Sequence, residues 1–200
     1  MLRIIGLTGQ TGAGKTTVSG VLAGSGLDVI NCDELARQVV RAGEPCLKKL
    51  VAHFGEKILL PNKELNRGLL GSIVFNDSAE LNVLNKTIFP FIKTELQARM
   101  KLLDNGNNKL VVLDAPTLFE SGADKLCDEI ISVVAPPMVR RKRIIARDRL
   151  SEAEADSRMA SQQDDEFYTS RSQHIICNNG TEQELTGQAQ QLAKSILDTQ

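Results

Sequence analysis

The chain has 200 residues, of which 24 are basic and 25 acidic, so its formal net charge is −1. This length suits one compact α/β domain with small insertions. The charge balance excludes the global field of a nucleic-acid or membrane-surface protein, and no apolar run reaches the length of a membrane span. The four cysteines form no C-x-x-C pair, and no leader pattern precedes the first predicted strand. We therefore expect a cytoplasmic protein with neither nucleic-acid nor membrane partners, whose oligomeric state the sequence leaves open.

A glycine-rich loop joins the first predicted strand, residues 2–8, to the first predicted helix. It matches the pattern G-x-x-x-x-G-K-[ST] and consists of Gly9, Gln10, Thr11, Gly12, Ala13, Gly14, Lys15, Thr16 and Thr17. The backbone N–H groups of such a loop cradle phosphate, and the helix N-terminus adds partial positive charge. Lys15 is expected to reach the β- and γ-phosphates, and the Thr16 hydroxyl to bind Mg²⁺. The alternative, an ordinary strand-to-helix turn, rarely supplies the Lys-Thr pair.

A carboxylate follows the second predicted strand. The first helix ends at the glycine-rich residues 24–26, and residues 27–31 then complete a βαβ unit. Asp33 lies between this strand and a helix, at the edge of a parallel sheet where ligands collect. It is either a carboxylate that faces a ligand or the N-cap of the helix, and its position alone leaves both open.

Residues 44–104 are predicted to form a helical insertion, with breaks at Pro45, Pro61 and Pro90. Residues 77–80 resemble a capping box. An apolar stripe at helical spacing is expected to be core and comprises Leu81, Leu84, Ile88, Ile92, Leu96 and Met100. A nucleotide-binding fold uses such an insertion to bind an acceptor. Arg67 is its candidate binding residue, although a lone arginine is more often a solvated surface group.

A turn at residues 105–108 precedes a buried strand, residues 109–114, that ends in Asp114. This pattern is typical of a Walker B strand, whose aspartate holds Mg²⁺ directly or through water; helix capping is the alternative. Glu120 follows in a loop, where substrate contact and plain exposure are both open. The next strand, residues 129–134, stops at a pair of prolines.

The densest basic cluster follows those prolines. Arg140, Arg143 and Arg147 have the spacing of one helix face, which would clamp polyphosphate; the alternative is a solvated helix paired with Asp148 and Glu152. A capping box at residues 151–154 starts another helix, and residues 139–171 are the predicted lid. After a polar stretch come a short strand, residues 174–177, and a terminal helix capped by Thr181. His53 and His174 belong to no catalytic or metal motif and are expected to be structural.

These motifs, taken in order, resemble those of the dephospho-coenzyme A kinase family along nearly the whole chain. The matching segments after the glycine-rich loop are Asp33 with Arg37, Arg67 with Ile73-Val74-Phe75, Leu84-Asn85, Asp114-Ala115-Pro116, Leu118-Phe119-Glu120, Cys127-Asp128, Arg143-x-x-x-Arg147-Asp148, Arg158-x-x-x-Gln162 and Asn178-x-Gly180. The loop alone is shared by many kinases, whereas the ordered set is much more specific.

The resemblance implies an α/β P-loop kinase fold: a five-stranded, mostly parallel sheet flanked by helices, with a core of residues 1–43, 105–138 and 172–200. It implies phosphorylation of the ribose 3′-hydroxyl of dephospho-coenzyme A by ATP, the last step of coenzyme A synthesis. The catalytic candidates are Asp33 as base, Lys15 and Arg143. The remaining assignments are ATP binding by residues 9–17, Arg143, Arg147, Asn178 and Gly180; acceptor binding by Asp33, Arg67 and Asp114; and Mg²⁺ binding by Thr16, Asp33 and Asp114.

Three positions depart from the family pattern. Phe89 stands where the family usually has His, Thr117 where it has Leu, and Gln173 where it has Asp; none of the three handles phosphate. A kinase of the same fold with another acceptor is the nearest alternative. A nucleotide-dependent switch fits less well, because residues 85–88 lack the aspartate of a guanine-reading motif and residues 114–117 lack the D-x-x-G form.

Overall fold

The computed structural model of the chain describes residues 2–74, 76–104 and 110–199. The turn expected at residues 105–108 and Phe75 of the family motif lie outside the described residues. The chain forms two compact units: one consists of Met1–Ile30 and Asp104–Gln200, and the other of Asn31–Leu103. We call them the sheet unit and the helical unit.

One five-stranded sheet carries the fold. Its strands are β1 (Arg3–Gly9), β2 (Asp28–Asn31), β3 (Leu110–Asp114), β4 (Glu129–Val134) and β5 (His174–Cys177), in the order β2-β3-β1-β4-β5. The central strand β1 pairs in parallel with β3 and β4, and β4 pairs in parallel with β5. All five residues of β3 are buried, as expected for a parallel sheet covered on both faces. The predicted five-stranded α/β fold is confirmed.

Helices and two 3₁₀ turns connect the strands. The helices are α1 (Lys15–Gly24), α2 (Cys32–Gln38), α3 (Pro45–Phe54), α4 (Arg67–Val74), α5 (Ser78–Leu103), α6 (Pro137–Asp148), α7 (Glu152–Ala160), α8 (Asp165–Thr169) and α9 (Glu182–Asp198). The 3₁₀ turns are Glu56–Ile58 and Ala123–Leu126. None of the helices within the described residues is long and apolar enough to cross a membrane.

The core of the sheet unit lies between the sheet and the helices α1 and α9. It joins apolar side chains of β1, β3 and β4 to the inward faces of the two helices, and includes Ile5, Leu7, Val18, Leu22, Val112, Ile131, Val133, Leu185, Ala189 and Ile196. Helix α9 begins with the predicted cap, Thr181, which bonds reciprocally with Glu184 in a capping box. This packing fixes the carboxyl ends of β1, β3 and β4, which carry the loops described below.

The helical unit has its own core. It is formed by buried side chains of α3, α4 and the first 3₁₀ turn, against which α5 packs, and includes Cys46, Leu50, Phe54, Ile58, Leu70 and Val74. Burial raises the pKa of the Cys46 thiol to about 11, so this cysteine is an inert packing residue at neutral pH. His53 Nε2 lies 2.7 Å from the Glu80 carboxylate of α5, and the expectation that His53 is structural stays a prediction.

Two local predictions are wrong: the helix break at Pro90 and the possible N-cap role of Asp33. Pro90 does not break a helix but lies inside α5, which packs on both sides of it against the core of the unit through Ile88 and Phe91. The expected core stripe of α5 does contact the core of the unit: Leu81, Leu84 and Ile88 pack against it while half-buried, and Leu96 is buried. Asp33 is not an N-cap, because the side chain of Asn31 takes that place by accepting a hydrogen bond from the Glu34 N–H. Helix α8, within the polar stretch that follows α7, was not predicted.

Candidate active site

The glycine-rich loop begins at the carboxyl end of β1 and ends where α1 starts. Gly14 is the N-cap of α1 with a left-handed φ of 105°, and a Cβ at this position would overlap the side-chain amide of Asn178. A Cβ on Gly9 would overlap the Val133 carbonyl of the neighbouring strand β4. Only glycine therefore allows the loop to lie this close to β4 and to the residue that follows β5.

The start of α1 is left open to an anion. Gly14 supplies no side-chain cap, and the first turn of α1 carries no acidic residue. The N–H groups of a helix's first turn lack partners within the helix, and they concentrate its partial positive charge. The loop and helix therefore have the arrangement that binds phosphate.

Lys15 and Asp114 form an ion pair beside the loop. The Lys15 ammonium contacts the carboxylate at the end of β3, and only 4% of the Asp114 side chain is exposed. The pairing follows from the sheet, because β3 is the neighbour of β1 and ends at the same edge. Thr16, the next residue along α1, is exposed. The structure thus brings together the predicted lysine and the predicted Walker B aspartate.

Arg143 of α6 also lies at the loop. Its guanidinium donates to the Gly12 carbonyl oxygen at 3.4 Å and to Asn178 Oδ1 at 3.1 Å. Asn178 follows β5, is 3% exposed, and donates through Nδ2 to the Ala13 carbonyl oxygen at 2.7 Å. Arg143, Asn178 and the loop therefore form one hydrogen-bonded group. The sequence linked Asn178 to the site only through the family resemblance.

The expectation that three arginines share one phosphate-facing surface is wrong for Arg140. This side chain is 6% exposed, and its Nε donates to the Ala135 carbonyl oxygen at 3.1 Å. Burial lowers the pKa of Arg140. The backbone of Arg140 packs against the loop, where a Cβ on Gly12 would lie 2.8 Å from the Arg140 carbonyl oxygen.

Arg147 is exposed and paired with its neighbour. Its guanidinium donates to both carboxylate oxygens of Asp148, at 2.7 and 2.8 Å, and Arg158 of α7 donates to the same carboxylate at 2.6 Å. The solvated-helix interpretation of the basic cluster therefore describes this part of α6. The assignment of Arg147 to ATP stays a prediction.

The segment between α7 and α8 forms two hydrogen bonds with residues 10 and 11 of the glycine-rich loop. Sequence reasoning did not predict this contact. Gln162 Oε1 accepts a hydrogen bond from the Thr11 N–H at 2.9 Å. Gln10, which is 2% exposed, donates through Nε2 to the Gln163 carbonyl oxygen at 3.0 Å. The available signal was the family motif that ends at Gln162, which marks the residue without indicating its contact.

A groove of about 500 Å³ runs along the start of α9. It is lined by polar and small residues: Asn179, Gly180, Glu184, Gly187, Gln188 and Gln191. A Cβ on Gly180 would overlap the Glu184 carboxylate, the movable end of the side chain that closes the capping box. The groove adjoins Asn178 along the chain. Glu120, the other acidic candidate, is exposed.

The acceptor-side candidates Asp33 and Arg67 lie in the helical unit. Asp33 is an exposed residue in the first turn of α2. Arg67 begins α4, and its Nη2 donates to the Arg37 carbonyl oxygen at 3.4 Å. Partial burial and the nearby Arg37 charge lower the pKa of Arg67. Asp33 thus lies at the start of α2, and Arg67 contacts the backbone of Arg37 near the end of the same helix.

The central strand of a parallel sheet leads into a glycine-rich loop, and a lysine, an aspartate and an arginine lie around that loop. This arrangement is that of a P-loop kinase. A shikimate kinase from Acinetobacter baumannii, solved with shikimate, shares this fold alone, with a TM-score of 0.51 and 18% identity over 100% of this chain and 93% of that one. A dephospho-CoA kinase from Campylobacter jejuni has a TM-score of 0.73 and 28% identity over 98% of both chains. A dephospho-CoA kinase from Moorella thermoacetica is 40% identical over 178 residues, 88% of this chain and 84% of that one. Residues 3–184 match the family model for dephospho-CoA kinase, and the chain belongs to that family.

Proposed function

We propose that the protein transfers the γ-phosphoryl group of ATP to the ribose 3′-hydroxyl of dephospho-coenzyme A, the last step of coenzyme A synthesis. The observation that carries this proposal is the group formed by the open start of α1, the Lys15–Asp114 ion pair and Arg143, within a chain of this family. The group concentrates positive charge where a nucleoside triphosphate places its phosphates. Phosphoryl transfer requires mainly such positioning and charge stabilisation.

Lys15 and Arg143 are the proposed catalytic cations. Lys15 would bind the β- and γ-phosphates, and Arg143 would neutralise charge that develops on the transferred group. Loop residues 9–17 would hold the triphosphate through their N–H groups. Arg147 is a further proposed contact from α6, and the loop containing Asn178 and Gly180 would hold the adenine side.

The three residues proposed to bind Mg²⁺ carry oxygen ligands that suit this cation. Thr16 offers a hydroxyl oxygen, and Asp33 and Asp114 offer carboxylate oxygens, which are ligands that this hard cation prefers alongside phosphate and water. The described residues contain no group of three or more His, Cys, Asp or Glu side chains that would hold a metal alone. Such a cation would be shared with the nucleotide and would neutralise its phosphate charge.

Asp33 is the proposed base that orients the acceptor hydroxyl and takes its proton, and Arg67 and Asp114 are proposed acceptor contacts. Asp33 is suited to the role because Asn31 already caps α2, which leaves the exposed Asp33 carboxylate available for the hydroxyl. A positioned base contributes about 10²- to 10⁴-fold to a rate.

Substitution of Asp33 tests this role against a neighbour of the same charge. We expect Asp33→Asn to lower kcat about 100-fold or more, with the KM for ATP changed less than about twofold. Glu34→Gln is the matched control, since Glu34 is also exposed in the first turn of α2. Turnover of Asp33→Asn equal to that of Glu34→Gln, in an assay coupled to ADP release, would remove Asp33 from the mechanism.

The acceptor is tested with the unmodified protein. ADP release should depend on dephospho-coenzyme A and should exceed the release seen with nucleoside monophosphates. Faster reaction with a monophosphate would identify a different kinase of the same fold. ADP release that no acceptor stimulates would favour a nucleotide-dependent binding module.

A further inference from the structure

Three arginines of the helical unit converge on one cavity. The cavity has a volume of about 170 Å³ and is lined by Arg37, Val40, Arg41, Glu64, Leu65 and Arg67. Val40 and Leu65 belong to the buried core of the unit and form an apolar floor. Glu64 supplies the single carboxylate among these lining residues. We call this feature the arginine pocket.

The guanidinium groups of the arginine pocket differ from those of five other arginines in the protein. Arg3, Arg99, Arg141, Arg147 and Arg158 each form a salt bridge with a carboxylate. Within the described part of the chain, by contrast, no salt bridge joins Arg37, Arg41 or Arg67 to a carboxylate. The pocket therefore holds three positive charges against the single carboxylate of Glu64, whose charge acts on Arg67.

Holding these charges together has an energetic cost. Arg67 lies so close to Arg37 that it donates to the Arg37 carbonyl oxygen, and both partial burial and the Arg37 charge lower the pKa of Arg67. Like charges at this separation repel each other, the more so where water is partly excluded. An anion with several oxygens would relieve the repulsion and accept bidentate hydrogen bonds from the guanidinium groups.

The position of Asp33 indicates which anion fits. Asp33 and Arg37 are four residues apart on α2 and therefore share one face, separated by about 6 Å along the helix axis. In dephospho-coenzyme A, the diphosphate is attached through C5′ to the ribose that carries the 3′-hydroxyl. A hydroxyl at Asp33 would thus place the diphosphate about one helical turn away, at the arginine pocket.

We propose that the arginine pocket binds the diphosphate of dephospho-coenzyme A, with Arg37 and Arg67 as its main ligands and Arg41 at its edge. The proposal rests on the proposed function, because it takes Asp33 as the residue that meets the acceptor hydroxyl. It assigns the pocket to acceptor recognition and leaves ATP binding to the sheet unit.

Steady-state kinetics with two acceptors test the pocket. Adenosine has the 3′-hydroxyl but no diphosphate, so the ratio of kcat/KM for dephospho-coenzyme A to that for adenosine measures recognition of the diphosphate. We expect Arg37→Gln and Arg67→Gln each to lower this ratio about tenfold or more, because each removes charge-assisted hydrogen bonds. The KM for ATP should stay within about twofold. Arg67→Lys should restore part of the ratio.

The control is Lys93→Gln, which removes one positive charge from an exposed residue of α5 that does not line the pocket. A ratio unchanged from the wild type, or changed equally by Lys93→Gln, overturns the proposal even if absolute rates fall. This result would leave the proposed function intact, provided that the wild type phosphorylates dephospho-coenzyme A.

A second measurement is independent of activity. Titration with inorganic diphosphate should shift the NMR signals of the Arg37 and Arg67 Nε–H groups, assigned from the two glutamine variants. Absence of these shifts in the wild type would contradict the proposal that the arginine pocket binds a diphosphate. If the wild type shows the shifts but fails to phosphorylate dephospho-coenzyme A, the proposed function is wrong and only the anion site stands.

Discussion

At the residue scale, Asn178 connects the glycine-rich loop to the arginine that faces it. One end of its buried amide donates to the Ala13 carbonyl oxygen, and the other accepts from Arg143. Its own backbone N–H donates to the Val134 carbonyl oxygen of β4. A single side chain therefore fixes both the loop and the guanidinium relative to the sheet.

Replacement of Asn178 by alanine should lower both stability and ATP affinity. Two buried hydrogen bonds would be lost and their partners left in a largely enclosed space, which costs about 1–3 kcal/mol in the free energy of unfolding. The KM for ATP should rise as well, because Arg143 loses its support. Chemical denaturation and initial-rate kinetics measure these two effects.

The adjacent residue provides the control for this experiment. Asn179 is exposed, so Asn179→Ala should change the free energy of unfolding by less than about 0.5 kcal/mol. Equal destabilisation by the two substitutions would mean that the amide contacts of Asn178 contribute nothing specific.

The sequence predicted those site residues whose positions depend on local structure. Lys15 follows directly from the loop pattern, and Asp114 from the end of a buried strand, so their contact follows once β1 and β3 are neighbours. The direction of Arg140 could not be predicted in this way. Helical spacing puts it near Arg143, but its buried side chain bonds to the Ala135 carbonyl oxygen instead.

At the element scale, the segment between α7 and α8 is joined to the glycine-rich loop by two hydrogen bonds of different kinds. Gln162 uses its side chain to accept from Thr11, whereas Gln163 uses its backbone carbonyl to accept from Gln10. A side-chain truncation therefore removes one contact and leaves the other. This difference allows the first contact to be tested alone.

We expect Gln162→Ala to accelerate hydrogen exchange at the Thr11 amide. This N–H loses its acceptor, and an amide without a partner exchanges through smaller local openings. Gln163→Ala should leave the rate near that of the wild type, since the backbone carbonyl remains. NMR-detected exchange at Thr11 in the three proteins gives the comparison. The same rate in the wild type and in Gln162→Ala would show that the glutamine does not protect the loop.

Elements marked by capping residues were the most predictable. The box at Ser151 and the cap at Thr181 form as expected, and at both helix ends a hydroxyl is joined by a glutamate three residues later. Pro90 gave the wrong signal, since packing of α5 outweighs the local preference against proline within a helix. The five-residue helix α8 carries too little apolar pattern to be recognised, although Asp164 caps it.

At the scale of the whole molecule, three adjacent strands are joined by one charged cluster. Arg3 of β1 and His174 of β5 both contact the Glu129 carboxylate at the start of β4, the strand between them. The hydrogen bond with His174, followed by that with Arg3, lowers the pKa of Glu129 below its ordinary value. The cluster therefore stabilises the fold only while Glu129 is ionised.

The stability of the protein should consequently depend on Glu129 in acid. A carboxyl whose pKa is lower in the folded state contributes its stabilisation above the unfolded-state value of about 4.3, and loses it as the pH falls through the folded-state pKa. Glu129→Gln should thus be less stable than the wild type at pH 7, and this difference should shrink below about pH 4.3. Urea denaturation across this pH range measures both proteins, with Glu56→Gln, at an exposed glutamate, as the control. A stability difference between the wild type and Glu129→Gln that stays constant with pH would show that ionisation of Glu129 does not support the strands.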